Sequence, residues 1–441
     1  MKRKLPFQMV SLSLGLVLIA SGCSPSNAPA APTGSNESEA KVSNEPITLT
    51  FFTAQNSVYA NESGFDNEIG QYIRKKFPNI TIKHIHKAAG QDYGDLIAAG
   101  TIPDIVLESS GNIISKIKEF DLANDMADLI KKHNFDLSRM DEAAIAQVKN
   151  ANPDGQLWGL PFTLSNIIMF YNKDLFDKFG VPYPKDGMTW DEVYDVAKKM
   201  TRSVDGVQYK GLSMHPGVMT SYNQLSLTPL DLKENKAAIN TEKWKTLIEN
   251  YKRFYDIPGN EFTNIDDFPK GQMAIGIHVA EKVTSWYTAN KDLNFDLASP
   301  PSFKDLPNTG MLPNTYSLFI TKNSKYKDQA FQVISYLLSD EVQSELSKQG
   351  IVTPLKSKAV HDVYGQSLPQ LKGKNTGAVY YSKNAQPAPP RASGLVYYSV
   401  NTSKIFDNIY KNNMDVNSAI RAVEEEANAA IQQLVLQKGG K

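Results

Sequence analysis

Ile47-Thr48-Leu49-Thr50-Phe51-Phe52, then Gly64 to Phe77 with Phe65, Ile69, Tyr72, Ile73 and Phe77 spaced one helical turn apart, then Ile80-Thr81-Ile82-Lys83-His84-Ile85: this stretch decides the fold class. The first and third runs are β-branched and aromatic, the composition of strands, and the middle run has the 3.6-residue period of an amphipathic helix. Ile105-Val106-Leu107, entered through Pro103-Asp104, predicts a third strand. Strand, helix and strand in succession predict an α/β sheet rather than a sandwich.

Upstream of that stretch the chain has a different character. Residues 24–46 are Pro, Ser, Ala and Asn with almost no large apolar side chains, and they predict a disordered tether. Before it, Met1-Lys2-Arg3-Lys4 leads into an apolar run from Leu5 to Ala20 and then Ala20-Ser21-Gly22-Cys23. The apolar run is shorter than the about 20 residues a spanning helix needs and has the layout of a secretory signal. Its small-small-Cys end resembles the bacterial lipobox, with Ala20 where that pattern usually has Leu. The reading is a lipoprotein signal peptide over 1–22, and a lipidated Cys23 opening the tether 23–46. Cys23 is the only cysteine in 441 residues, so no disulfide forms within the chain.

The rest of the chain is long enough for two domains. Lys+Arg and Asp+Glu both number 47, a balance that argues against a dedicated nucleic-acid binder. Further helices are expected from Thr189-Trp190-Asp191-Glu192, a capping-box start, along Lys327 to Leu337, from Asp340 to Gly350, and from Val416 to Leu434. Trp190 and Trp244 read as core.

Three ordered stretches resemble the extracellular solute-binding proteins of bacterial ABC importers, the carbohydrate-type branch that includes maltose-binding protein. The first runs from Asp154-Gly155-Gln156-Leu157-Trp158-Gly159-Leu160-Pro161-Phe162 through Met169-Phe170-Tyr171-Asn172-Lys173 to Thr189-Trp190-Asp191-Glu192. The second is Phe268-Pro269-Lys270-Gly271-Gln272-Met273-Ala274-Ile275, with Met and Ala exchanged relative to the family order. The third is Lys327-Asp328-Gln329-Ala330-Phe331 through Ser339-Asp340-Glu341-Val342-Gln343. The resemblance implies a two-lobe periplasmic-binding-protein type II fold with a hinge and an interlobe ligand cleft. Lobe one would hold 47–163 plus 316–355, and lobe two 166–314 plus 357–435. It also implies no catalysis and no cofactor. The expected role is capture of a sugar or oligosaccharide for ABC permease subunits, by a monomer anchored on the outer face of the membrane in a Gram-positive-type bacterium. The alternatives are an exported carbohydrate-active enzyme, or a binding protein for a non-sugar solute.

Loops after strands supply the candidate ligand residues. Asn56 follows the first strand, Glu108 and Ser109 the third, and His215 a later one. Trp158, Trp286 and Tyr287 are candidate aromatic platforms for the C–H faces of sugars. Asn314 and Tyr316 lie at the second expected crossing. Arg391, in the rim-like Pro387-Ala388-Pro389-Pro390-Arg391, would meet an anionic ligand such as a uronic acid. Catalytic signals are poor: Ser324-Lys325-Tyr326-Lys327 precedes an ordinary helix, and Asp266-Asp267 reads as a cap. His84 and His86 share a strand face, but the sequence places no third metal ligand beside them, so no metal site is expected.

Overall fold

The computed structural model describes residues 45–54, 62–263 and 265–439. Cys23, the signal segment, most of the tether and Asn56 lie outside the described residues.

Among the described residues, ten strands form two five-stranded sheets. They are β1 Ile47–Thr53, β2 Ile80–His86, β3 Ile105–Ser109, β4 Gly159–Ser165, β5 Ile167–Asn172, β6 Arg202–Val204, β7 Val207–Met214, β8 Met273–Val279, β9 Phe295–Ala298 and β10 Asn314–Ile320. The first sheet has the order β2-β1-β3-β10-β4 and the second β6-β7-β8-β5-β9. In the first, β1 pairs parallel with β2 and β3, while β10 runs antiparallel between β3 and β4. In the second, β7 and β8 are parallel and β5 is antiparallel to both β8 and β9. The strands β1 to β3 are linked by helices, as the opening stretch predicts. A helical run over 62–76 buries Phe65, Ile69 and Ile73 beside Leu49, Phe51 and Ile80. Between β6 and β7, Asp205 and Gly206 both have positive φ (52° and 77°), as a two-residue type I′ hairpin turn requires.

The chain passes from the first sheet to the second across one residue, Asn166, between β4 and β5. It returns at Asn314, where β10 opens. Each sheet has its own apolar cluster, and a third cluster sits at the crossing. There Leu164 of β4 meets Ile168 and Phe170 of β5, together with Trp286, Val352, Tyr364 and Val379. This third cluster ties the ends of β4 and β5 to each other and marks the hinge.

The helix at 189 forms as the capping box requires. Thr189 Oγ1 accepts from Glu192 N, and Glu192 Oε2 accepts from Thr189 N at 2.7 Å. Trp190 and Trp244 are each 2% exposed, in the second core. The segment after 357 differs from the sequence expectation. Instead of joining the second sheet at once, Lys358–His361 packs on the first-lobe helix Asp340–Lys348, with Ser347 Oγ donating to Val360 O at 2.8 Å. The chain rejoins the second sheet at Lys374 and Asn375, which bond Phe295 O and Asp296 Oδ1 of β9, and the helices Lys404–Tyr410 and Val416–Gly439 complete the second lobe. Among the described residues, no helix is long and apolar enough to cross a membrane.

Candidate functional site

The carboxyl end of β3 runs into the turn Ser109-Ser110-Gly111-Asn112, and Glu108 shapes that turn. Glu108 is 1% exposed. Its Oε2 accepts from the Tyr93 hydroxyl at 2.8 Å, and its Oε1 accepts from Ser109 N at 2.7 Å and Asn112 Nδ2 at 3.1 Å. The carboxyl group is therefore spent on protein donors, and the turn it organises forms one wall of a cavity of about 540 Å³.

That cavity lies between the two sheets. The first lobe contributes the 109–112 turn and the helix Glu142–Asn150 through Gln147 and Asn150. The second lobe contributes Tyr222, Thr228 and Leu230, and the proline-rich segment 387–400 forms the remaining wall. Cross-bonds hold that wall in place: Asn150 Nδ2 donates to Ala388 O at 2.9 Å, and the Tyr397 hydroxyl donates to Gly111 O at 3.2 Å. Gln147 Nε2 donates to Pro313 O at 2.5 Å, whereas its Oε1 is buried with no hydrogen-bond partner among the described residues. A buried acceptor of this kind costs about 1–3 kcal/mol until a donor reaches it. The phenol of Tyr222 is pushed up by burial and lies near those of Tyr316 and Tyr397. Serines, amides and tyrosines dominate the polar lining, and among the described residues the only charged ones on it are Lys118 and Arg391.

Of the residues singled out by sequence, Ser109 and Arg391 line this cavity. Arg391 is also a staple. Its guanidinium donates to Asp231 O at 2.7 Å, Val396 O at 2.8 Å and Glu234 O at 3.3 Å, fixing the proline-rich segment to the second lobe. Tyr316 lies opposite Ser109 in the β3–β10 register, and Asn314 opposite Ser165 in the β10–β4 register. The other described candidates are not on the wall. Trp158 is packed in the first core, its Nε1 donating to Gln156 Oε1 at 3.0 Å. Trp286 is 4% exposed in the hinge cluster against Phe170 and Phe268, its Nε1 3.3 Å from Asp266 Oδ1. Tyr287 sits partly exposed on the helix Lys282–Ala289. His215 caps the helix Pro216–Ser221 through Nδ1, 3.3 Å from Val218 N. Its ring lies 6.0 Å from His278, which burial lowers to a pKa of about 4. Sequence reasoning missed Gln147, Asn150 and Tyr222, which lie outside the post-strand loops it searched. Ser324 and Asp266 are engaged structurally, Ser324 Oγ with Asp104 Oδ1 at 2.6 Å and Asp266 Oδ1 with Lys282 Nζ at 2.7 Å.

Comparisons with known proteins agree with this architecture. The family model of the bacterial extracellular solute-binding proteins matches residues 58–344, about two thirds of the chain. A sugar-binding protein MalE from Xanthomonas citri superposes with a TM-score of 0.69 at 16% identity, covering 90% of this chain and all of that one. An ABC substrate-binding protein of Listeria monocytogenes, solved with cycloalternan, superposes at 0.66 and 18% identity over 88% of this chain and all of its own. These likenesses establish the two-lobe fold with its hinge and cleft. Among curated relatives, the sn-glycerol-3-phosphate-binding periplasmic protein UgpB of Agrobacterium fabrum is 25% identical over 35% of this chain. The chain spans only 39% of that relative's length. Sequence motifs, two-sheet topology and family match therefore converge: the chain belongs to the bacterial extracellular solute-binding proteins.

Proposed function

We propose that the chain is the solute-binding subunit of an ABC importer, capturing a sugar or oligosaccharide in the interlobe cavity and handing it to the permease subunits. The observation that carries this reading is the cavity itself, walled from both lobes and lined by serine, amide and tyrosine groups, Gln147 among them. Its about 540 Å³ falls within the ~300–1,000 Å³ of small-molecule sites. Hydroxyl-rich ligands need planar amide partners and ring faces, and this wall supplies both. A ligand touching both lobes stabilises the closed arrangement, so capture and closure are linked. The role requires no turnover. It suits a monomer held at the outer face of the membrane by a lipid on Cys23, with residues 24–46 as tether.

Lys118 and Arg391, with no carboxylate among the described residues of the wall, favour a second reading in which the ligand carries a phosphate, as a glycerol phosphate does. Calorimetry against neutral oligosaccharides and against glycerol 3-phosphate separates the two. Micromolar binding of a neutral sugar supports the first reading, and binding of the phosphate alone supports the second. If neither class binds, both fail. For whichever ligand binds, Gln147→Leu is expected to weaken affinity about tenfold, the equivalent of roughly 1.4 kcal/mol. The anchor has its own test: Cys23→Ser should move the protein from the membrane fraction to the medium with ligand affinity unchanged. Retention on the membrane would refute anchoring through Cys23.

A further inference from the structure

A polar cluster at the far edge of the first sheet, on the outermost strand β2, takes no part in the cavity. Sequence reading placed His84 and His86 on one strand face without a third ligand, and the fold corrects that. The helical run over 62–76 packs across β2 and brings Glu62 to the two histidines. One donor atom from each of the three lies within 4.8 Å of the other two. We propose that Glu62, His84 and His86 form a binding site for a divalent transition-metal ion of the zinc class.

The His84 ring is set for this role. It stacks on Phe65 with centroids 3.8 Å apart and planes 6° apart, and its side chain is only 3% exposed. Its Nε2 lies 2.9 Å from Thr53 Oγ1, and its Nδ1 lies 2.9 Å from Glu62 Oε1. When Nε2–H donates to Thr53, the Nδ1 lone pair faces the carboxylate, and a cation bound to both removes their repulsion. This is the usual arrangement of a ligating imidazole, whose far nitrogen's hydrogen bond orients the ring. The His86 ring is tilted toward His84 at 6.1 Å, and no described residue hydrogen-bonds it. Zinc bonds of about 2.0–2.2 Å set tetrahedral ligand spacings near 3.3 Å. Glu62 and His84 already stand 2.9 Å apart, so the 4.8 Å spread closes chiefly by a turn of the His86 ring toward them, with Glu62, 72% exposed, free to adjust. Two imidazoles and one carboxylate are a donor set that zinc accepts, with water completing the shell. The ion would pin the start of the helix to the edge strand, independently of the solute cavity.

The experiment is calorimetric titration of the chelator-treated full chain with zinc chloride, with cobalt(II) absorption as a second readout. One ion per chain is expected, with visible cobalt bands of four-coordinate intensity and a rise in melting temperature. Glu62→Gln and His86→Asn, both at partly or fully exposed positions, should each weaken zinc at least about tenfold while leaving the metal-free melting temperature unchanged. Unaltered zinc binding in the double variant, or no saturable binding by the parent, would overturn the site. Solute binding should be the same with and without chelator, so this result stands apart from the function proposed above.

Discussion

Glu108→Leu is expected to lower the unfolding free energy by about 3–5 kcal/mol and to weaken solute binding by at least about tenfold. The buried carboxyl gathers the Tyr93 hydroxyl, Ser109 N and Asn112 Nδ2, and leucine accepts none of them. Each stranded donor costs about 1–3 kcal/mol, and Tyr93, 2% exposed, has no water to turn to. The second effect follows from position. Ser109 and Asn112 line the cavity and Gly111 O receives the Tyr397 hydroxyl, so a slack turn loosens one wall and the contact that closes it. Tyr93→Phe is the control: it removes one donor from a carboxyl that keeps the others, so stability should fall by only about 1 kcal/mol with affinity nearly intact. Urea denaturation and calorimetry on the two variants make the comparison. Equal effects from both would show that the turn does not depend on the carboxyl.

How much of this was legible in the sequence depends on the range of the interaction. The β1–helix–β2 alternation and the Thr189–Glu192 cap are local, written within a turn or a few residues, and they appear in the fold as read. Trp158 and Trp286 were harder. An indole beside a post-strand loop has the same local sequence whether it packs inward or faces solute, and tertiary packing alone places both in core clusters. Glu108 shows the same ambiguity in a charged group, since its donors Tyr93 and Asn112 come from elements on either side of β3. The cavity wall was least legible. Gln147 sits on a helix with ordinary periodicity, and Tyr222 and Thr228 lie in irregular chain. They meet only because the chain crosses between lobes at Asn166 and again at Asn314. Glu62 and His84 likewise stand 22 residues apart, joined by the way one helix lies over β2.

Glu281→Gln should stabilise the protein at pH 8 by up to about 2–3 kcal/mol and do little near pH 4.5. Glu281 follows β8 in the second lobe, and Ser165 at the end of β4 in the first lobe donates its hydroxyl to Glu281 Oε1. The residue as a whole is partly exposed, but Oε2 is buried and no described group bonds it. Burial raises the carboxyl pKa from 4.5 to about 7, against the opposing hydrogen bond from Ser165. The titratable neighbours that feel its charge are Tyr316 and Tyr364, whose phenols are pushed upward chiefly by burial. In the unfolded chain the carboxyl ionises near 4.5, so between that pH and about 7 the folded state holds more protons than the unfolded one. Stability therefore falls as pH rises through this window and stays lower above it. A carboxyl whose folded and unfolded pKa values differ by one contributes about 1.36 kcal/mol in this way. Glutamine carries no titrating proton, so the variant's stability should lack this slope. Because Ser165 and Glu281 flank the Asn166 crossing, any lobe opening that hydrates the carboxyl is favoured by the same ionisation. Solute affinity should then decline as pH rises through 7 in the parent and hold level in the variant. Urea titrations and calorimetry at pH 4.5, 6, 7 and 8 read both effects, and parallel pH profiles for the two proteins would refute the buried ionisation at the hinge.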